Sequence, residues 1–325
     1  MATLDYVVGI DIGGTTTSCA LVDRQGQLLA TATIPTLPAE AAERLVARLQ
    51  REIEVLRATR PAGSQLRGIG IGAPNANYRR GTVEKPVNLH WGEEVNLVAL
   101  VRQHYDLPVV ITNDANAAAL GELLFGGAQG MADFIVITLG TGLGSGLVSN
   151  GQLLYGASGF AGELGHTVVD PEGRQCNCGK KGCLETYVSA TGLCRTVSAL
   201  LAERVDASPL RALSYQELTA KEVCAAAAAG DALARAAFAA TGRILGMKLA
   251  DAVAHTGPEA IFLFGGLAEA GDLLLTPTRR AFEEFLFRPY QGKVQLRRSA
   301  IPADAGALLG AAALIWQELS ALDEV

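Results

Sequence analysis

One stretch of the chain, residues 162–185, combines residue types that bind metal ions. It contains one imidazole and three thiols, from His166, Cys176, Cys178 and Cys183. Three thiolates and an imidazole form a tetrahedral ligand set suited to Zn²⁺. The alternative, three unpaired surface thiols beside a stray histidine, is chemically hazardous. Because four protein ligands leave no open coordination position, the sequence predicts a structural zinc site and not a catalytic one.

Carboxylates in this stretch and in an earlier one, together with an amide, could act on a hydroxylated substrate. Glu163 and Glu185 bracket the cysteine loop and are either solvated carboxylates or paired acceptors for sugar hydroxyls. Asn113 and Asp114 stand where an apolar strand meets a helix. Either residue could simply cap the helix, or Asp114 could be a general base that takes a proton from a hydroxyl attacking a phosphate. The local sequence does not decide between these readings, and one residue can cap while its neighbour catalyses.

Two glycine-rich runs could hold a phosphate group. In DIGGT, residues 11–15, Asp11 could hold a hydrated Mg²⁺, Gly13 and Gly14 expose backbone N–H groups, and Thr15 could bond a phosphate oxygen. The same residues also suit an ordinary hairpin turn. In TLGTGLGSG, residues 138–146, the alternating glycines continue into a strand and not a helix, which disfavours a dinucleotide site. A glycine-rich turn without a ligand is the alternative for this run.

The elements that must position these groups alternate between strand and helix. Apolar and β-branched runs predict three short strands between residues 5 and 33, a strand at 108–112 and another at 261–266. The predicted helices lie at 38–58, 95–105, 115–124, 193–204, 215–229 and 231–255, with further helices after residue 266. This alternation predicts an α/β fold.

A weak internal repeat relates two parts of the chain. The Gly-Thr pair at 14–15 aligns with the pair at 140–141, and the Leu-Val pair at 21–22 aligns with 147–148. Glycines in turns can match by chance, but the strand residues outside the turns match as well. A duplication would give two similar lobes, each with a glycine-rich hairpin, so that a phosphate could be held from both sides.

Composition and charge argue against several classes of protein. The chain has 325 residues, of which 49% are hydrophobic and 18% charged, so it can bury a large core in two domains. Its formal net charge of −6 offers no cationic surplus for nucleic acid or anionic lipid. No basic segment precedes the first apolar run, and the longest uncharged apolar stretch, 305–316, is shorter than the roughly 20 residues that span a bilayer. We therefore expect a cytoplasmic protein with no nucleic-acid or membrane partner.

The motifs DIGGT, TNDANAA, LGTGLGSG, GELGH and CNCGKKGCLE, in this order, resemble those of the ROK family of sugar kinases. The resemblance covers nearly the whole chain, and the cysteine loop is its most specific part. It implies a two-lobed fold similar to actin and hexokinase, of the ribonuclease H-like ATPase class, with an active site in the interlobe cleft. The small lobe would comprise residues 1–112 and a C-terminal helix at about 304–325, and the large lobe residues 113–303 with the zinc loop at 166–183. A homodimer is also implied.

The resemblance assigns roles to individual residues. The hexose would be bound by Asn113, Asp114, Glu163, His166 and Glu185, with Asp114 as the catalytic base. One ring nitrogen of His166 would bind zinc while the other faces the sugar. ATP and Mg²⁺ would be held by Asp11, Gly13, Gly14, Thr15, Thr16, Gly140, Thr141, Gly142, Gly265 and Gly266.

One departure from the family pattern bears on which sugar fits. Many members carry glycine where this chain has Asn75, so a side-chain amide stands where backbone would otherwise approach the sugar. Asn88, in the NLHW segment, is a further candidate sugar contact. The alternative for that segment is a loop in which Trp91 packs on the core.

The resemblance implies an ATP-dependent hexose kinase, and a glucokinase that phosphorylates the 6-hydroxyl of glucose in glycolysis is the leading hypothesis. The nearest alternative is a kinase for N-acetylmannosamine or N-acetylglucosamine, and polyphosphate could replace ATP. The family also includes repressors with an added helix-turn-helix domain, which we do not expect here because the first phosphate loop begins at Asp11. A non-catalytic sugar sensor is the alternative from a different class.

Overall fold

The computed structural model describes residues 5–86, 89–303 and 305–323, and the chain divides into two compact units. The first unit comprises Met1–Met131, Leu153–Ala161 and Ala300–Val325, and the second comprises Ala132–Gln152 and Gly162–Ser299. Each unit is built on its own five-stranded sheet with helices beside it. The predicted α/β class is therefore confirmed.

The first unit contains a five-stranded sheet and a small three-stranded sheet. Its strands are β1 (Asp5–Ile12), β2 (Thr16–Asp23), β3 (Leu28–Pro35), β4 (Gln65–Gly72), β5 (Ala76–Asn77), β6 (Thr82–Glu84), β7 (Glu94–Val95) and β8 (Val109–Thr112). The main sheet has the order β3-β2-β1-β4-β8, in which β1 pairs antiparallel with β2 and parallel with β4. Strands β5, β6 and β7 form the small sheet. The three strands predicted at the N-terminus are confirmed.

Three helices of the first unit precede the second unit in the chain. They are α1 (Ala42–Ala58), α2 (Leu97–Arg102) and α3 (Asp114–Phe125). Helix α1 begins four residues after the predicted start because the chain is still extended at Ala41, where φ is −64° and ψ is 148°. Helix α2 is shorter than predicted because Val95 belongs to β7, and the Asn96 side chain caps the helix by accepting a hydrogen bond from Ala99 N at 2.9 Å.

The sheet of the second unit repeats the pairing pattern of the first. Its strands are β9 (Phe134–Leu139), β10 (Leu143–Ser149), β11 (Gln152–Leu153), β12 (Ala260–Phe264) and β13 (Gln295–Arg298), in the order β11-β10-β9-β12-β13. Strand β9 pairs antiparallel with β10 and parallel with β12, as β1 does with β2 and β4. The repeat predicted from the sequence is thus confirmed, since Leu21 pairs with Val8 in one hairpin and Leu147 with Ile135 in the other.

Strand β13 corrects the sequence analysis, which expected helices from residue 266 to the end. Within β13 only Leu296 is buried, and the other three residues are exposed polar side chains. Such a short edge strand has almost no apolar pattern of its own. It exists because it pairs in parallel with β12, which is buried along almost its whole length.

Four helices complete the second unit, and three of them begin at a side-chain cap. They are α4 (Ala190–Glu203), α5 (Ala220–Ala228), α6 (Ala232–Thr256) and α7 (Asp272–Phe285). Ser189, Thr219 and Asp231 each accept a hydrogen bond from the backbone N–H three residues later. In the described part of the chain no single helix has the length and apolar character needed to cross a membrane. The pair α5 and α6, bent by 115°, reaches that length and composition only when taken together.

The C-terminal helix α8 (Gly306–Asp323) belongs to the first unit and lies directly on its sheet. A Cβ atom added at Gly9 of β1 would lie 2.4 Å from Leu308 O, and one at Gly70 of β4 would lie 1.9 Å from Ala311 O. Only glycine allows this approach. Helix α3 packs against α8 and falls in the first unit, so the division of the structure differs from the expected boundary after residue 112.

Candidate active site

The junction between β8 and α3 separates the capping residue from an accessible carboxylate. Asn113 is the N-cap of α3, and its side-chain oxygen accepts a hydrogen bond from Asn116 N at 2.7 Å. Asp114 is the first helical residue, and its Oδ1 accepts from Ala115 N at 3.0 Å. The Asp114 side chain is exposed to solvent. The protein around it nevertheless reduces its hydration, and this desolvation raises its pKa.

The first glycine run forms the turn between β1 and β2 and brings Asp11 near Asp114. Gly13 N donates to Thr16 O at 2.9 Å, and Gly13 O accepts from the Thr36 hydroxyl at 2.7 Å. Asp11 is half-buried at the end of β1. Burial, with a further contribution from the negative charge of Asp114, raises the pKa of Asp11 to about 6.

Gly14, Thr15 and Thr16 complete this turn. Thr15 and Thr16 are exposed, and Thr15 O accepts a hydrogen bond from Thr36 N at 2.9 Å. Two of the predicted phosphate contacts therefore have side chains that a ligand can reach. The turn reading of the motif is also correct, since these residues connect two antiparallel strands.

Asn75 has the backbone conformation that glycine favours. Its φ is +53°, in the left-handed region, and its side-chain amide donates to Lys85 O at 3.0 Å. The amide is thus held by the protein's own backbone while the residue remains exposed. Asn88 lies outside the described residues. Trp91 is buried and its Nε1 donates to Glu40 O at 3.1 Å, so the core-packing reading of Trp91 is confirmed.

In the second unit, the Glu185 side chain binds the glycine turn between β9 and β10. Glu185 Oε2 accepts a hydrogen bond from Leu143 N at 3.0 Å. A Cβ atom at Gly142 would lie 2.4 Å from the same carboxylate oxygen. Gly140 N donates to Gly142 O at 3.0 Å, which closes the turn. Glycine at 142 is therefore required for Glu185 to reach the turn.

His166 lies between a carboxylate and the thiols. Its Nε2 is 3.9 Å from Glu163 Oε2, while its Nδ1 is 3.7 Å from Cys176 Sγ. The two ring nitrogens therefore face different groups, as expected for a histidine that binds a metal with one nitrogen and leaves the other for a second contact.

The four candidate metal ligands are brought together. The ligand atoms of His166, Cys176, Cys178 and Cys183 all lie within 4.8 Å of one another. Cys178 Sγ and Cys183 Sγ are 3.6 Å apart. Ligand atoms at the vertices of a tetrahedral zinc site with Zn–S bonds near 2.3 Å are about 3.8 Å apart. The cluster is therefore one that could hold a metal ion, with dimensions that fit zinc.

A cavity of about 560 Å³ opens beside the second glycine turn. Gly140, Thr141 and Gly266 line it, and Gly265 stands next to it with φ of +99°. Other lining residues were not predicted from the sequence. They are Thr219, Ala220, Lys221, Cys224 and Leu267. The one available signal was Thr219, because a threonine followed three residues later by Glu222 marks a helix start.

The predicted site residues thus fall into two described groups. Asp11, Gly13, Asn75, Asn113 and Asp114 belong to the first unit, in which the carboxylates of Asp11 and Asp114 influence each other. The second unit holds Gly140, Thr141, Gly142, Glu163, His166, Glu185, Gly265, Gly266 and the three clustered cysteines. Within it, the glycine turn, the carboxylates and the metal cluster are connected through Glu185 and His166.

Duplicated sheets with glycine hairpins and an accessible carboxylate are features expected of an actin-like phosphotransferase. Residues 7–318 match the model of the ROK family. The chain therefore belongs to the ROK family.

Relatives and solved structures agree with this membership. Glucokinase of Halalkalibacterium halodurans is 36% identical over 325 residues, covering 98% of this chain and 97% of that protein. The crystal structure of a ROK family glucokinase from Streptomyces griseus in complex with glucose and AMPPNP has 35% identity and a TM-score of 0.78, covering 95% of this chain and 98% of that one. A ROK family transcriptional regulator, a homologue of the E. coli MLC protein, has 31% identity and a TM-score of 0.86, covering 96% of this chain and 78% of that one. The predicted two-lobed, actin-like and hexokinase-like fold is confirmed.

The raised pKa of Asp11 makes stability depend on pH. The folded protein holds this proton up to about pH 6, whereas the unfolded chain releases it near the ordinary value of 3.8. The contribution of Asp11 to the free energy of unfolding is therefore fully present below about pH 4 and is lost as pH rises through about 6. In nucleotide-free protein, Asp11→Asn should abolish this loss and raise the free energy of unfolding at pH 7.5 by about 1–3 kcal/mol.

Urea denaturation followed by circular dichroism at pH 4.5 and 7.5 measures this difference. Asp106→Asn, which removes an exposed carboxylate elsewhere in the same unit, controls for the change in net charge. An Asp11→Asn effect of equal size at both pH values would contradict the assignment.

Proposed function

We propose that this protein transfers the γ-phosphoryl group of ATP to a hydroxyl of a hexose, with the 6-hydroxyl of glucose as the favoured acceptor. The chain is a sugar kinase of the ROK family. Support for the sugar and the nucleotide comes from the glucokinase with 36% identity and from the related glucokinase structure that contains glucose and AMPPNP.

The proposal rests on one observation at the start of α3, where Asn113 and Asp114 have different roles. Asn113 performs the capping, so the neighbouring carboxylate of Asp114 remains accessible, and desolvation raises its pKa. A raised pKa makes a carboxylate a stronger base. In the proposed reaction Asp114 accepts the proton of the sugar hydroxyl as its oxygen bonds to the γ-phosphorus, and ADP leaves.

Charged and polar side chains would bind the sugar hydroxyls. Glu163 and Glu185 offer carboxylate acceptors, and the Nε2 side of His166 points towards Glu163. Asn113 and Asn75 would add amide contacts. For Asn75 the amide is already held by Lys85 O, so its conformation would be set before any sugar binds.

The nucleotide would occupy the cavity beside Gly140, Thr141 and Gly266, since this cavity combines backbone donors at glycine turns with room for a ligand. Gly142 and Gly265 support the same turns, and Gly13, Gly14, Thr15 and Thr16 would contribute donors from the first hairpin. Asp11 fits a Mg²⁺ site, because a half-buried carboxylate beside a second carboxylate attracts a divalent cation. When bound, Mg²⁺ would neutralise charge on the phosphates.

Zinc is the metal that the Cys/His cluster fits. Three thiols and one imidazole would fill a tetrahedral shell, so the ion would supply structural bracing and no reactive position. Glu185 lies two residues after Cys183, and its Oε1 is 4.0 Å from Cys176 Sγ. The metal would thereby fix the backbone that carries the proposed sugar contacts.

Replacing the proposed base should separate binding from chemistry. Asp114→Asn keeps a group that can hydrogen-bond the sugar but cannot accept a proton, so kcat should fall by about 100-fold to 10,000-fold. Glucose affinity, measured by calorimetry, should change by no more than about threefold. Asp106→Asn is the matched control, and near-normal turnover of Asp114→Asn in a coupled ADP-release assay would remove Asp114 from the mechanism.

The choice of sugar can be tested with a panel of acceptors. We expect kcat/KM to be highest for glucose, because a glucokinase is 36% identical to this chain in an alignment that covers 98% of it. The panel contains glucose, mannose, N-acetylmannosamine and N-acetylglucosamine with ATP, and a second series replaces ATP by polyphosphate. A preference for an acetamido sugar would overturn the glucose assignment while leaving the kinase assignment intact.

Loss of the metal should weaken sugar binding. Cys178→Ser removes one ligand, so zinc content should fall from about one ion per chain and KM for the sugar should rise by about tenfold or more. Elemental analysis and steady-state kinetics measure the two quantities. Cys194→Ala, which removes a thiol of α4 outside the cluster, should keep its zinc. Active wild-type protein without zinc would contradict the structural-metal proposal.

A sugar-sensing regulator is the second candidate, favoured by the TM-score of 0.86 to a ROK family transcriptional regulator. Absence of turnover at saturating MgATP, together with retained sugar binding, would favour it over the kinase. The homodimer and the cytoplasmic location stay predictions.

A further inference from the structure

A second cavity in the first unit is distinct from the candidate active site. It encloses about 670 Å³, a volume typical of small-molecule sites, and none of the described candidate site residues lines it. Its wall combines the loop that follows β5, one side of α2 from Asn96 to Gln103, part of β8 and Glu318 of α8. All these elements belong to the same compact unit.

Three arginines line this cavity, and two of them have no acidic partner in the described part of the chain. Arg80 forms ion pairs with Glu84 at 3.3 Å and Glu94 at 2.6 Å. Arg102 donates to Val109 O at 3.3 Å, which leaves its charge uncompensated. Among the residues that the structure describes, neither Arg79 nor Arg102 has a carboxylate within 4.0 Å. Two uncompensated guanidinium groups from different elements favour an anion with several oxygens, and phosphate is the group that arginine forks match.

The remaining polar groups of the wall suit hydroxyls. Glu318 Oε2 accepts the hydroxyl hydrogen bond of Tyr78 at 2.8 Å and, as a carboxylate, has further lone pairs to offer. Asn96 uses its side-chain oxygen to cap α2, which leaves its side-chain NH2 group as a possible donor to a ligand hydroxyl. We propose that this cavity is an effector site for a small organic phosphate that carries hydroxyl groups.

Tyr78 connects the cavity to the chain that leads to Glu163. Its ring stacks on that of Tyr155, with centroids 4.3 Å apart and an interplanar angle of 8°. Burial, together with the hydrogen bond to Glu318 and the charge of Glu318, raises the pKa of Tyr78 to about 12, so its hydroxyl remains a donor at neutral pH. Tyr155 lies in the segment Leu153–Ala161, which runs directly into Gly162 and Glu163. A ligand that competes for Glu318 would shift Tyr78, and with it the ring on which Tyr155 rests.

Calorimetry on the 325-residue chain tests the binding. The probes are ribose 5-phosphate, ribose and inorganic phosphate, each titrated with saturating glucose and AMPPNP present so that the candidate active site is blocked. We expect ribose 5-phosphate to bind at least about fivefold more tightly than phosphate alone, and ribose not to bind. The double variant Arg79→Gln/Arg102→Gln should lose at least about tenfold in affinity. Arg44→Gln, an exposed arginine on α1, should stay within about twofold of wild type.

Several outcomes would overturn the proposal. Binding that disappears with AMPPNP and glucose present would place the phosphate in the active site. Equal affinity for phosphate and ribose 5-phosphate would exclude a role for the hydroxyl-facing wall, and unchanged binding in the double arginine variant would exclude this cavity. Because both arginines are exposed, circular dichroism should show that the variant is folded.

Steady-state kinetics tests the effector role. This test rests on the proposed kinase function, whereas the calorimetric test of binding is independent of it. Ribose 5-phosphate should change the sugar KM of the wild-type protein by at least about threefold, and this change should vanish in Arg102→Gln and persist in Arg44→Gln. An unchanged sugar KM in a protein that binds the probe would overturn the effector role. Absence of any kinase turnover would instead concern the proposed function.

Discussion

The hydrogen bond from Leu143 N to Glu185 connects the glycine turn of the second unit with the segment that follows the cysteine cluster. Leu143 begins the strand after the glycine turn, and Glu185 follows the last cysteine of the metal cluster. The bond forms only because Gly142 has no side chain to exclude the carboxylate. The glycine turn and the Glu185 carboxylate, the proposed contacts for phosphate and sugar, are thus held together, and Cys176 of the cluster lies on the other side of the carboxylate. A metal bound by the cluster would stabilise this arrangement without taking part in the proposed chemistry.

The two main sheets share one pattern of strand pairing, but the turns between their first two strands contain different residue types. In both sheets a central strand pairs antiparallel with the next strand and parallel with a later one. The turn after β1 retains Asp11, whereas the turn after β9 carries glycines and a threonine only. The first copy has therefore kept an acidic group close to Asp114, and the second copy offers backbone donors beside a cavity.

Structural features that depend on local residue types could be predicted from the sequence, whereas those that depend on pairing between distant segments could not. The clustering of the four candidate metal ligands and the N-terminal strands were predictable, because ligand residue types and the alternation of apolar residues can be recognised within short stretches. Strand β13 was not, since one buried leucine among exposed residues becomes a strand only when β12 lies beside it. The wall at Thr219 and Cys224 was missed for a similar reason, as nothing in the sequence shows that α5 faces the glycine turn. For Asn113 and Asp114 the sequence was compatible with both helix capping and general-base catalysis. The hydrogen bond from Asn116 N to Asn113 Oδ1 shows that Asn113 is the residue that caps.

The chain passes between the two units at four points, near residues 131, 152, 161 and 299. The first unit is therefore assembled from three separate stretches of sequence and the second from two. Neither can be cut out of the gene as one uninterrupted fragment, and a recombination event that exchanged either with a homologue would need several breakpoints. Inheritance of the two units as a pair follows directly from this interleaved connectivity, whatever selection acts on their activity.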